Sequence, residues 1–191
     1  MAAREERDVK ILALVGMSGS GKSVAVDYLT SLGYPKVYFG GMILKEMERG
    51  GILDTPENEK KFREEIREKE GKDWVVRQVV DEVRRLIQAG QKRIVLDGLY
   101  AWTEYKILRK EFPGEMTVLA LVVPKKLRYK RVSERPERPF NHAEIVERDR
   151  TEIENLEKGG PIAIADYYVL NDGEIKETQE KIGKILEDIA F

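Results

Sequence analysis

The sequence predicts an α/β fold built on a doubly wound parallel sheet of about five strands. Apolar runs of strand length alternate with helix-length segments along most of its 191 residues. Three of those runs, at residues 9–15, 94–96 and 116–123, are apolar almost throughout, as strands covered on both faces are. The first of them runs directly into the glycine-rich stretch GMSGSGKS at residues 16–23.

Each element follows from local signals. A helix is expected from Gly21 to about Leu32, where Gly33 and Pro35 break it. Residues 37–39 suit a second strand, and residues 41–50 a short helix closed by Gly50 and Gly51. Thr55-Pro56-Glu57 reads as an N-cap with proline in the first turn, opening a charged helix that contacts the core through Phe62 and Ile66. Residues 73–89 carry Val76, Val79, Val80, Val83, Leu86 and Ile87 on one stripe, with Trp74 as a further core residue. A strand ending in Asp97-Gly98 follows, then a helix near 102–111 and the strand at 116–123. Pro124 opens a basic helix, residues 135–139 form a loop, and 141–158 form one charged helix capped by His142. The last strand is expected at 167–170 and the last helix at 174–189.

Residues 1–191 are therefore expected to be one domain, with a nearly all-helical insertion at 41–90 and a lid region at 125–140. The insertion should overhang the carboxyl ends of the strands, where ligands bind in such sheets.

Composition removes several function classes. Charged residues make up 36% of the chain, yet the net charge is −1, so acids and bases are interspersed and no nucleic-acid footprint is expected. With no cysteine and one histidine, thiol nucleophiles, zinc–thiolate sites and multi-histidine metal sites are excluded. No apolar run reaches the roughly 18 residues of a membrane helix, so no membrane partner is expected. MAAREERD lacks the apolar core of a signal peptide and reads as a frayed polar lead-in. The expectation is a soluble cytoplasmic protein, a monomer or a homodimer.

The strand–GMSGSGKS–helix arrangement matches G-x-x-x-x-G-K-[ST], a phosphate-binding P-loop. Small residues let backbone N–H groups turn toward phosphate oxygens, and the helix that follows adds its positive end. The expected ATP ligands are Gly16, Ser18, Gly19, Ser20, Gly21, Lys22 and Ser23, with Lys22 reaching the outer phosphates. Ser23 and Asp97 are the expected Mg²⁺ residues, Asp97 acting through water from the end of its strand. Asp97 also reads as an ordinary strand-end residue in an Asp-Gly turn. Arg131 and Arg135, four apart in the basic segment, would share a helix face and close over ATP if the helix persists that far. Otherwise this charge run, which extends to Arg138, is a solvated face.

Taken together, these residues resemble the P-loop kinases of nucleoside monophosphates and of dephospho-coenzyme A. FGGMILKEMERGG resembles the first acceptor-side helix of adenylate-kinase-type enzymes, VLDGLYAWTE their strand-three segment, and LRYKRVSER their arginine-bearing lid. IADYYVLNDGEIKETQEKI is similar to the end of dephospho-CoA kinases, which implies that Asn171 and Gly173 border the adenine. TPEN paired with the later ERD resembles archaeal relatives of dephospho-CoA kinase. The resemblance implies an ATP- and Mg²⁺-dependent phosphotransferase with Lys22, Asp97, Arg131 and Arg135 as its catalytic residues.

The acceptor side departs from those patterns. Phe39-Gly40-Gly41 holds no acid where a ribose-phosphorylating kinase keeps its base. Lys45 stands where adenylate-kinase-type enzymes have arginine, and Tyr100-Ala101 where they have Pro-Arg. Gly41, Lys45, Arg49 and Tyr100 are the expected acceptor residues, with Arg77 and Arg84 as possible further cations. Tyr38, Tyr100 and Trp102 are open to two readings, stacking on a planar acceptor or packing. A small phosphorylated acceptor, such as a nucleoside monophosphate, is expected. The alternatives are dephospho-CoA kinase and an ATP-binding regulatory protein without kinase activity.

Overall fold

The computed structural model describes residues 8–137 and 139–191, so the lead-in at 1–7 and Arg138 lie outside the described residues. In chain order the elements are β1 (Lys10–Val15), α1 (Lys22–Ser31), β2 (Lys36–Tyr38), α2 (Phe39–Arg49), α3 (Pro56–Glu70), α4 (Trp74–Gln88) and β3 (Arg93–Asp97). Then follow α5 (Trp102–Glu111), β4 (Met116–Val122), α6 (Lys125–Ser133), α7 (His142–Glu154), α8 (Gly159–Ala163), β5 (Tyr167–Leu170) and α9 (Ile175–Asp188).

The strands form one parallel sheet in the order β2-β3-β1-β4-β5. β1 is central, pairing Leu14 with Asp97 on one side and Val15 with Ala120 on the other. The chain winds first to the β3–β2 side and then to the β4–β5 side, which leaves a crevice at the top of β1. Alternate side chains of β1 feed two cores. Ile11, Ala13 and Val15 pack with α2, α4 and α5, whereas Leu12 and Leu14 pack with α1 and α9. The doubly wound five-stranded sheet read from the sequence is the sheet observed.

Element ends differ in informative places. Phe39 opens α2 rather than closing β2, because Phe39, Met42, Ile43 and Met47 are all buried at helical spacing. The helix expected at 141–158 stops at Glu154, and Glu157 then takes a left-handed φ of 53° that starts the separate α8. Its cap is Asn141, whose side chain accepts the Glu144 N–H at 3.0 Å. His142 instead lies in α7 with its ring edge-to-face on Tyr129. The expected proline-assisted cap at Thr55 is present, its hydroxyl accepting the Asn58 N–H at 3.2 Å.

A Leu12→Ala substitution removes a fully buried side chain from the central strand. Thermal or urea unfolding should show a loss of about 2–5 kcal/mol. Leu53→Ala, at a position 77% exposed, should stay within about 0.5 kcal/mol of the parent.

Candidate functional site

A cleft of about 1160 Å³ opens at the carboxyl ends of the strands. Its floor is the P-loop between β1 and α1. The loop has little freedom to be built from other residues. Gly19 and Gly21 hold φ values of +80° and +85°, and an added Cβ would lie 2.6 Å from Val132 and 2.2 Å from Asn171 respectively. The amides of Lys22, Ser23 and Val24 open α1 and have no intrahelical acceptor, so they are available to an anion.

Other elements grip the loop. Arg128 donates to the Ser18 carbonyl at 2.9 Å and pairs with Asp149 through both guanidinium nitrogens. Tyr129 donates to the same carboxylate. The Ser18 N–H donates to Glu152 Oε2 at 2.9 Å. Asn171 donates through Nδ2 to the Ser20 carbonyl at 2.8 Å and accepts through Oδ1 from Thr178. Its own carbonyl accepts from Arg131 at 2.8 Å. Two of the loop amides expected to face phosphate are thus engaged within the protein, since the Ser20 N–H donates to the Met17 carbonyl.

At the top of β3 the Asp97 carboxylate, 9% exposed, accepts a short hydrogen bond from Lys22 Nζ. Lys22 and Ser23 both line the cleft. Hydroxyl and carboxylate oxygens are the hard donors that Mg²⁺ takes, and they fit its habit of binding through a few ligands, water and phosphate. Among the described residues no three acidic or histidine side chains converge to hold a metal alone.

Arg131 and Arg135 both line the cleft, though not on one helix face: α6 ends at Ser133, and Arg135 lies over the Phe140 ring at 4.5 Å. Gly173 lines it too, beside Asn171, whose side-chain amide is committed to Ser20 and Thr178. Tyr38 and Tyr100 form part of the wall. Tyr100 is fixed by Glu104, which accepts the Tyr100 and Ala101 N–H groups at 2.8 and 2.9 Å. Burial pushes the Tyr100 phenol far up, so it stays neutral at physiological pH. Burial also raises Glu104, against the two N–H groups that favour its charged form.

The other expected acceptor residues lie elsewhere. Lys45 pairs with Glu82 at 3.6 Å and Arg49 with Glu46 at 3.2 Å, around a shallow groove between α2 and α4. Gly41 sits against the Tyr38 ring outside the cleft lining. Arg77 pairs with Asp73 and Arg84 with Glu111. Trp102 is a packing residue, stacked on Tyr105 and covering Gly160. The cations that do line the cleft from the insertion are Arg63, Arg67 and Lys72. Arg148 and Lys158 line it from the opposite side, with the buried Glu152. Neither set stood out in the sequence, because both lie in segments whose charge density reads as solvated surface.

Comparison with known proteins places this geometry. Residues 12–155 match the family described as an AAA domain. A UPF0200 protein of Pyrococcus abyssi is 33% identical over 184 residues, covering 95% of this chain and 97% of its own. The chain belongs to the UPF0200 family. A UPF0200/UPF0201 protein of Archaeoglobus fulgidus is 32% identical across 96% of this chain, which spans 57% of that longer relative. Among solved structures, TT1252 from Thermus thermophilus aligns over 94% of this chain and 97% of its own, with a TM-score of 0.62 and 21% identity. Shikimate kinase from Bacteroides thetaiotaomicron aligns over 93% and 98%, with a TM-score of 0.59 and 12% identity. A gluconokinase from Sinorhizobium meliloti aligns over 97% and 98%, with a TM-score of 0.57 and 18% identity. This UPF0200 chain therefore has a P-loop kinase-like fold.

Two outcomes follow from the grip on the loop. Gly21→Ala forces a left-handed residue and a Cβ into Asn171. It should weaken binding of a fluorescent ATP analogue by at least about tenfold, read by titration, as positive-φ strain alone costs about 1–2 kcal/mol. For Asp149, burial pushes the carboxyl up, but the Arg128 hydrogen bonds and charge outweigh it and hold it below its usual value. Its stabilisation is present above a pH of about 3.9 and is lost as pH falls through the lowered value. Asp149→Asn should melt lower at neutral pH and lose less further stability below about pH 4, checked by melting temperature against pH.

Proposed function

We propose that this UPF0200 protein is a cytoplasmic ATP- and Mg²⁺-dependent phosphotransferase acting on a small anionic acceptor, such as a nucleoside monophosphate or similar phosphorylated molecule. The observation that carries the reading is one continuous cleft. Its lining includes the P-loop with Lys22, whose ammonium is held by Asp97 behind it, and also Arg63, Arg67 and Lys72. A protein that only held or hydrolysed ATP would have no use for a second cationic end.

In this reading the amides at the start of α1 and the Lys22 ammonium hold the donor phosphates. Ser23 would ligate Mg²⁺ and Asp97 would hold it through water, the ion neutralising charge on the donor phosphates. Lys22 releases Asp97 when phosphate arrives, because both ends of that short bond then gain new partners. Arg131 and Arg135 act from the lid side, and Asn171 and Gly173 border the nucleotide. Tyr100 and Tyr38 form the wall between donor and acceptor.

The acceptor subsite moves, in this proposal, from Lys45 and Arg49 to α3 and the turn that follows it. Arg63 is held by Glu59. Arg67 and Lys72 have no ion-pair partner among the described residues. An anionic acceptor needs cationic clamps more than a catalytic base, since its nucleophile already carries charge. That chemistry suits a segment with no acid at Phe39-Gly40-Gly41.

The test is ADP formation from Mg-ATP across a panel of nucleoside monophosphates, dephospho-CoA, shikimate and gluconate. At least one phosphorylated acceptor should raise turnover well above the rate with ATP alone. If none does while ATP binds, the kinase reading fails and the protein is an ATP-binding module. Stimulation by shikimate or gluconate alone would sink the phosphorylated-acceptor assignment. With the active acceptor, Lys22→Ala should lower kcat by at least about a hundredfold. Arg67→Ala should raise the acceptor KM about tenfold with kcat nearly unchanged, as loss of ground-state binding does.

A further inference from the structure

Glu152, Lys158 and Arg148 form a cluster beside the P-loop that the phosphate-loop chemistry does not require. Glu152 is 1% exposed and its two oxygens have different tasks. Oε2 accepts the Ser18 N–H at 2.9 Å, and Oε1 accepts Lys158 Nζ at 2.7 Å and Arg148 Nε at 3.2 Å. One carboxylate thus ties Lys158 to the loop that cradles the donor phosphates. Lys158 is itself 5% exposed and lies in the cleft wall, its ammonium 4.5 Å from the centre of the Tyr100 ring. It therefore stands between the P-loop and the tyrosine that faces the acceptor end.

The burial of Lys158 is what singles this cluster out. Two cations share one carboxylate, but the Arg148 side chain is half exposed whereas Lys158 is buried. Water can complete the hydrogen bonding of Arg148, while the donors of Lys158 that Glu152 does not take are cut off from bulk solvent at a cost in free energy. An ammonium has three donors, and Lys158 gives one to Glu152, with no other hydrogen bond among the described residues. Burial drives the Lys158 ammonium below its usual range; Arg148 and Lys22 add to this, against the pull of Glu152. The buried ammonium is thus short of partners. An incoming phosphate oxygen would occupy its spare donors.

We infer that Lys158 is a second phosphate-binding lysine of this site, meeting the terminal phosphoryl group of the donor as it passes toward the acceptor. Glu152 is its positioning residue, holding Lys158 in register with Ser18. Lys22 and Lys158 then contact the phosphoryl group from different elements, α1 and the α7–α8 turn. Two point charges on separate elements tolerate the movement of the group better than one, because each can strengthen as the other weakens. This inference rests on the ATP-dependent reading above.

Calorimetric binding of Mg-ADP and of the Mg complex of the non-hydrolysable β,γ-imido analogue of ATP tests it without an acceptor. Lys158→Met should weaken the triphosphate analogue about tenfold and leave ADP within about twofold, since only the terminal group loses a charged hydrogen bond. Lys158→Arg should keep the ratio of the two affinities within about threefold of the parent's. Glu152→Gln, which can still accept the Ser18 N–H, should shift the ratio in the same direction as Lys158→Met. An unchanged ratio in Lys158→Met overturns the inference, as does a parallel loss of both nucleotides, which marks a structural lysine. If the parent protein binds neither nucleotide, the ATP-dependent reading itself has failed, a result separate from either of those.

Discussion

A phosphate loop must keep backbone N–H groups free for its ligand, so it cannot be stabilised by its own hydrogen bonding as a helix or strand is. The rest of this protein is arranged around that constraint. Ser18 is gripped at its carbonyl by Arg128 and at its amide by Glu152, and the Ser20 carbonyl is held by Asn171. These three side chains come from α6, from α7 and from the end of β5. The loop is thus shaped by sequence more than a hundred residues downstream, and its conformation is a property of the whole fold. Each gripping side chain is itself fixed: Arg128 by Asp149, Glu152 by Lys158 and Arg148, Asn171 by Thr178.

The same arrangement explains which parts could be read from sequence. The strands were legible because β1, β3 and β4 are buried on both faces, which leaves short apolar runs bounded by glycine, proline or charged residues. The P-loop was legible because its requirement is steric. Gly19 and Gly21 need left-handed backbone and contact neighbouring side chains so closely that few other residues are compatible. Asp97 was legible from its place at the end of an apolar strand.

The cations of residues 41–90 that line the cleft were not legible, and the reason is equally physical. Periodicity reports which face of a helix is buried; it is silent on which exposed face borders a cleft and which faces bulk water. Lys45 on α2 and Arg67 on α3 are both exposed cations of amphipathic helices, yet only Arg67 lines the cleft, while Lys45 borders the separate groove. Glu152 and Lys158 were hidden for a related reason. A segment as rich in charge as 141–158 looks solvated throughout, yet its helix ends at Glu154, and the turn through Glu157 brings Lys158 back onto the carboxylate of Glu152. No local signal marks which one of its many acids is fully buried.

Charge distribution links these two halves of the site. The chain as a whole is close to neutral, so no long-range field draws anions to it. Two of the cleft cations, Lys22 and Lys158, sit where water is scarce, whereas Arg63 and Arg148 are nearly half exposed. Three acids at or beside the cleft are occupied: Glu152 by two cations and an amide, Glu104 by two backbone N–H groups, Asp97 by Lys22. At Lys22 and Lys158 positive charge acts through a lower dielectric than at the surface. An anion within the cleft therefore meets its strongest field at close range, from those two ammonium groups, and not from the protein as a whole.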